Sequence, residues 1–355
     1  MKSIDPNKIN NILVFQTAFL GDVVLTTPIF KNIKAHFKNA KVTALVIPGN
    51  APVISGNPYV DSVITYDKKG GKGAKSFLDT LSEVKCQNFD LVFSLHRSFR
   101  TSLMLYLSRI PVRIGFSDSA GSFFYTDTVK RDMTAHDVKR NLSILNGAGI
   151  KEDDISDELL VTYSDADKKS LEEKMGARES LTEKHESAIV VSPGSVWATK
   201  RYPHESYAEV IKMLKADGRF DIVLSGGKDD IAIADEIVKL AGGGIINLTG
   251  KTTLKELAAL LDSAALMITN DSGPLHIAAS FNTPIVAIFG ATTTNLGFAP
   301  YNKNSVVVEK ELDCRPCGKH GGMKCPITTF DCMKLIQPEE AYEAATKLIS
   351  GSTAK

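Results

Sequence analysis

The chain has 355 residues, 43% hydrophobic and 23% charged, and its 42 Lys+Arg nearly cancel its 41 Asp+Glu to leave a net charge of +1. That length exceeds one ordinary core and suits two domains, while the charge balance excludes a global attraction to nucleic acid or another polyanion. The opening MKSIDPNKIN has no signal-peptide core, and no apolar run approaches the roughly 20 residues that span a bilayer, so a cytoplasmic protein is expected.

In chain order, NILVF (11–15) reads as the first strand. The stretch TAFLGDVVLTTP (17–28) then places Asp22 before a helical pattern. A carboxylate there serves as a partner of the helix dipole or, in a loop at a strand end, as a general base; spacing leaves both open. KVTALVI (41–47), DSVITY (61–66) and FDLVFSL (89–95) follow, with amphipathic segments between several of them. This rhythm predicts βαβ units on a parallel sheet. Gly70-Gly71-Lys72-Gly73 reads as a flexible insertion. Between 91 and 140 eight Lys/Arg stand against four Asp, and Arg97 and Arg100 follow FDLVFSL closely enough to meet an anionic acceptor, or else are solvated surface cations.

After LLVTY (159–163), the Lys/Glu-rich stretch up to His185 marks the boundary. The expected division is a first domain over 1–165, a charged linker or helix over 166–186, a second domain over 187–335, and a final helix and tail over 336–355. Asp165 and Asp167 have the spacing of a metal pair but the setting of a helix cap.

A second β-rich series follows in SAIVVS (187–192), FDIVLS (220–225), GIINL (244–248), ALMIT (265–269) and PIVAIFG (284–290). The fold class expected is therefore α/β, with ligands outside the carboxyl ends of the strands. SPGSVWATKRYP (192–203) puts Gly194 and Ser195 ahead of the cations Lys200 and Arg201. Lys200 either neutralises a departing diphosphate or belongs to a solvated basic pair. In ITNDSGPLHIAAS (268–280) a strand stops at Asn270-Asp271-Ser272-Gly273 and Pro274 starts a helix. Its free N–H groups would form an anion site suited to a diphosphate, with Asp271 on a sugar hydroxyl. The alternative is that Asp271 or Ser272 only caps the helix. No GxGxxG follows the first strand and no Walker lysine loop is present, which argues against a dinucleotide dehydrogenase.

Four of the five cysteines, Cys314, Cys317, Cys325 and Cys332, crowd into CRPCGKHGGMKCPITTFDC. They suggest a structural Zn site in a reducing compartment, or a thiol-rich loop over the ligand cleft. PEEAYEAATKLI (338–349) is the last amphipathic helix, with Pro338 in its first turn.

Taken together, TAFLGDVVLTTPIF, SPGSVWATKRYP, TNDSGPLHIAAS before TPIVAIFG, and the cysteine segment ending in DCM resemble the lipopolysaccharide heptosyltransferases, and heptosyltransferase II more than heptosyltransferase I. The resemblance runs from about residue 11 to 349. It implies a GT-B architecture, with two Rossmann-like domains facing a central cleft and the C-terminal helix packing back toward the first domain. It also implies inverting transfer of heptose from ADP-L-glycero-D-manno-heptose to the heptose/Kdo inner core, with no cofactor required for catalysis. Asp22 becomes the base and Lys200 the cation on the diphosphate. Gly194, Ser195, Thr252, Asp271, Ser272, Gly273 and His276 bind the donor, and Arg97 and Arg100 the acceptor. The implied acceptor, lipid A-Kdo-heptose, lies at the inner face of the inner membrane, so peripheral membrane contact is expected and nucleic acid is not. Three positions depart from the pattern: Ala291 where Pro is common, Tyr202 where Trp is common, and the 70–73 insertion. Competing readings are a transferase of another nucleotide sugar, a sugar-nucleotide epimerase, and a metal or redox module centred on the cysteines.

Overall fold

The computed structural model describes residues 4–68, 73–176 and 188–352. The chain divides into two compact units, Met1–Thr162 and Tyr163–Lys355. The charged segment 177–187 and most of the 70–73 insertion lie outside the described residues.

The first unit contains β1 (Asn11–Phe15), β2 (Lys41–Val46), β3 (Ser62–Thr65), β4 (Leu91–Ser94), β5 (Val112–Phe116) and β6 (Asp127–Val129), all parallel in the order β3-β2-β1-β4-β5-β6. In β1, Ile12, Leu13, Val14 and Phe15 are all buried. A strand covered on both faces reads as a continuous apolar run because helices of the crossovers take both sides of the sheet.

The second unit repeats the plan with β7 (Ile189–Ser192), β8 (Ile222–Leu224), β9 (Ile246–Asn247), β10 (Leu266–Asn270), β11 (Ile285–Phe289) and β12 (Ser305–Glu309), in the order β12-β11-β10-β7-β8-β9. In each sheet the crossovers leave the centre in opposite directions, between β1 and β4 and between β7 and β10. Such a switch point opens a crevice at the carboxyl ends of the two central strands, where doubly wound folds bind ligands. Registers Phe15↔Ser94 and Thr269↔Ser192 bring these ends level.

LLVTY (159–163) lies outside both sheets: Leu159 and Val161 are buried, and Leu160 donates its N–H to Thr27 Oγ1 at 3.0 Å. Strands β5, β6 and β12 escaped sequence reading because VRIGF is interrupted by Arg113 and Gly115, DTV is very short, and SVVVE is only partly buried. On the final helix, Pro338–Ser352, Ala341, Ala344, Ala345 and Ile349 join the second unit's own core, because this side of the helix covers β10, β11 and β12.

Helix Asp165–Met175 also belongs to the second unit, where Ser164 and Asp167 form a reciprocal cap as expected. Its Lys174 and Ser170 reach the buried Glu256 at 2.6 Å each. Burial pushes the Glu256 carboxyl up, but these partners and the Thr253 N–H outweigh it and hold the group at about 2.

Candidate active site

At the second switch point, the turn after β7 carries Lys200 and the end of β10 carries Asp271. Lys200 Nζ lies 2.6 Å from Asp271 Oδ2, and both side chains are buried. Thr292, just past β11, donates its hydroxyl to the same oxygen at 2.6 Å. Asp271 therefore does not cap the helix that follows. Neither does Ser272, which makes no side-chain cap and lies 3.3 Å from Thr269 Oγ1 instead.

Helix Gly273–Ser280 starts here with Pro274 in its first turn, so its positive end is at the carboxyl edge of the sheet. Asn270 fixes the geometry underneath. Its amide donates to the Pro193 carbonyl at 2.7 Å, and its Oδ1 accepts from the Tyr202 N–H at 3.1 Å and the Tyr207 hydroxyl at 2.9 Å. Tyr202 fits this position as a phenol because its Oη also donates to the Ile336 carbonyl at 2.9 Å.

Ser195 is buried, and its carbonyl accepts Arg201 Nε at 2.8 Å. Gly194 packs closely on Asp230: a Cβ there would stand 2.3 Å from the carboxylate, which would have to turn aside. His276 is buried on the helix, and Thr252 stands in the turn before helix Leu254–Asp262. The structure brings Lys200 and Asp271 into direct contact, with Ser272 next in the chain.

In the first unit, Asp22 sits in helix Leu20–Val24, just past β1, where its Oδ2 accepts the Phe19 N–H at 3.2 Å. Burial first, then the Asp137 carboxylate, raise the Asp22 carboxyl from the ordinary 3.8 to about 7, against lowering by backbone hydrogen bonds and Arg97. The loop before it is clamped by Lys68, which donates to the Thr17 carbonyl at 2.9 Å.

Lys68 Nζ also lies 3.1 Å from His96 Nε2, and His96 Nδ1 lies 2.8 Å from Thr101 Oγ1. Burial, then Lys68 and Arg97, bring His96 down to about 4, so it is neutral near pH 7 and accepts from the ammonium at Nε2.

Arg97 pairs with Asp118 at 2.8 Å. Arg100, also expected at the acceptor, places its guanidinium over Tyr66 and Phe77, 5.5 and 5.4 Å from the ring centroids. The mostly buried Arg131 lies 3.8 Å from Asp118 and 3.9 Å from Asp137, and its Nε has no hydrogen-bond partner among the described residues. A cation with an unused donor, in the repelling field of Arg97, is suited to an added anion.

Residues 79–326 match the model of glycosyltransferase family 9 (heptosyltransferase). The chain belongs to that family. Lipopolysaccharide heptosyltransferase 3 of Escherichia coli K12 is 30% identical over 303 residues, spanning 81% of this chain and 84% of that protein. A family 9 glycosyltransferase of Veillonella parvula superposes with a TM-score of 0.83 at 24% identity, covering 98% and 99% of the two chains. The ADP-heptose lipopolysaccharide heptosyltransferase II of Escherichia coli superposes with a TM-score of 0.77 at 22% identity, covering 97% and 99%. Both structures share the two-domain α/β fold of this glycosyltransferase.

Neighbours of the candidate residues were missed in the sequence: Lys68 and His96 in the first unit and Thr292 in the second each stand just past a strand's carboxyl end, and that position was the available signal. Arg315 was hidden inside the cysteine motif. Its guanidinium donates to the carbonyls of Gly290, Lys310 and Thr292 and pairs with Glu309, fastening the cysteine segment to the end of β11. Thr199 adds a second tie, exchanging hydrogen bonds with the Gly322 backbone at 2.8 and 3.0 Å. The cysteine segment thus lies against the Lys200 turn.

Its thiols are neighbours in charge: burial, Cys314 and Cys325 raise Cys317, whereas N–H groups led by that of Phe330 lower Cys325. Among the described residues no three His, Cys, Asp or Glu side chains are arranged to hold a metal ion. Replacing Arg315 by Ala strands four acceptors, and we expect unfolding in urea to show a loss of about 3 kcal/mol.

Proposed function

We propose that this enzyme transfers heptose from ADP-heptose to the heptose/Kdo inner core of lipopolysaccharide with inversion at the anomeric carbon. The observation that carries the reading is the buried Lys200–Asp271 pair at the second switch point, beside the positive start of helix Gly273–Ser280. A cation and a helix terminus on one edge suit a diphosphate. Asp271, already neutralised through Oδ2, leaves Oδ1 for a sugar hydroxyl. The names of the relatives, which are lipopolysaccharide heptosyltransferases and in one case an ADP-heptose enzyme, support the donor and the acceptor class.

In the proposed reaction the acceptor oxygen bonds to the anomeric carbon as the bond from that carbon to the diphosphate breaks. The electrons of that bond leave with ADP, and Asp22 takes the hydroxyl proton. A carboxyl near 7 is half ionised at neutral pH and basic enough to accept it. Lys200 and the helix terminus stabilise the charge on departing ADP, while Gly194, Ser195, Thr252 and His276 shape the donor site. Arg97 and Arg131 meet anionic groups of the acceptor, and Arg100 supports them from its aromatic seat. The reaction needs no metal, and any Zn at Cys314, Cys317, Cys325 and Cys332 is structural. Among the described residues no helix is long and apolar enough to cross a membrane. The meeting with the lipid-borne acceptor is proposed to be peripheral, at the cytoplasmic face.

Thermal shifts with ADP, UDP, CDP and NAD at equal concentration test the donor. At about 100 times its dissociation constant the right nucleotide adds roughly 2.7 kcal/mol. A selective shift with ADP is expected; a selective shift with UDP or CDP moves the donor, and none at all contradicts the nucleotide-sugar reading.

A further inference from the structure

Phe123 is 76% exposed, Phe99 51% and Tyr106 50%. Scattered exposed apolar residues are ordinary, but these form one patch. Phe124 joins them, with ring centroids 4.5 Å from Phe123, 4.9 Å from Tyr106 and 5.8 Å from Phe99. Helix Phe99–Leu107 supplies two of the rings and the turn Ser122–Phe124 the others.

The turn is built rather than loose. Gly121 has φ +77°, and a Cβ there would meet Ser102 Oγ at 2.4 Å. Ser102 Oγ donates to the Ala120 carbonyl at 2.7 Å, and Arg113 Nε donates to the Phe124 carbonyl at 2.9 Å. Fixed hydrogen bonds thus hold Phe123 outward into solvent.

The rim is cationic. The Arg113 guanidinium lies 5.8 Å from the Tyr106 centroid, and the exposed Arg109 follows the same helix. From 97 to 131 the chain has six Lys/Arg against two Asp, and Asp118 is already paired with Arg97. Aromatic rings with an arginine rim match the chemistry of a headgroup layer, where rings enter the interface and guanidinium groups meet phosphates. A second copy of the chain is disfavoured, since it would bring one cationic rim against another.

We propose that this face docks the first unit onto an anionic phospholipid surface, with Phe123 and Tyr106 entering the headgroup layer and Arg109 and Arg113 on the lipid phosphates. The proposal rests on the heptosyl-transfer reading for its purpose, since a lipid-anchored acceptor lies at such a surface; its geometry is independent of that reading.

The test is sedimentation of the full chain with vesicles of phosphatidylglycerol and phosphatidylethanolamine, and with phosphatidylcholine alone, both free of acceptor. The wild type is expected to pellet with the anionic vesicles, and less so in high salt. The double variant Phe123→Ser, Tyr106→Ser should partition at least about tenfold less. Phe123→Trp should keep binding and gain a blue-shifted emission on vesicles beyond that of Trp197. ADP-heptose turnover on a delipidated acceptor fragment should be unchanged in the double variant. Vesicle binding without transfer would defeat the transferase reading and leave docking intact. A wild type that stays in the supernatant, or a double variant that binds equally, overturns the proposal. So does a wild-type dimer that the double variant abolishes without any vesicle binding, which would assign the face to a second copy.

Discussion

Asp22→Asn is expected to lower turnover about 10³-fold while ADP binding stays intact, because the amide keeps the shape of the carboxylate and cannot take the acceptor proton. Wild-type kcat/KM should rise with pH through about 7, the value to which burial and Asp137 lift the carboxyl, and then level. The same shift has a stability consequence of definite sign. The folded pKa of about 7 lies above the unfolded 3.8, so stability is complete below 3.8 and is lost as pH rises through 7. The variant should therefore match the wild type near pH 4 and exceed it at pH 8, by on the order of 2 kcal/mol once partial exposure is discounted. Calorimetry at the two pH values measures this, and a variant less stable at pH 8 would contradict the electrostatic account of the site.

Lys200→Met should have the second large effect, for two separable reasons. Removing the cation withdraws charge stabilisation from the departing diphosphate and should cost about 10²–10³-fold in turnover. It also leaves the Asp271 carboxylate buried without its 2.6 Å partner, which should cost about 3 kcal/mol of stability. Adding Asp271→Asn removes the stranded charge, so the double variant should regain most of the stability and none of the turnover. If turnover returned with stability, Lys200 would be structural only. If Lys200→Met alone kept near-normal turnover, the diphosphate assignment would be wrong.

Much of the fold is legible in the sequence because buried parallel strands must be continuous apolar runs. NILVF, KVTALVI, SAIVVS, ALMIT and PIVAIFG all contain strands of the two sheets. What could not be read is strand order, which depends on the side of the sheet each crossover takes. For that reason SPGSVWATKRYP and ITNDSGPLHIAAS were legible as strand-end loops, but the bond between Lys200 and Asp271, 71 positions apart, was not. It follows only once β7 and β10 are known to be neighbours. Asp22 stood out as a carboxylate after a strand. Its raised pKa did not, because it comes first from burial in the folded packing and then from the Asp137 carboxylate, which reaches it from a distant segment. The aromatic patch also went unnoticed, since Phe99, Tyr106 and Phe123 follow no strand or helix period that marks exposure.

The central claim is transfer of heptose from ADP-heptose to an inner-core acceptor with inversion. The most direct measurement is the product itself: ADP-heptose and a heptose-bearing inner-core acceptor incubated with the wild type, followed by mass spectrometry and by NMR of the new anomeric centre. The account predicts one added heptose per ADP released, linked with configuration opposite to that of the donor. Retained configuration, ADP released with the acceptor unchanged, or an epimerised donor formed without acceptor would contradict it.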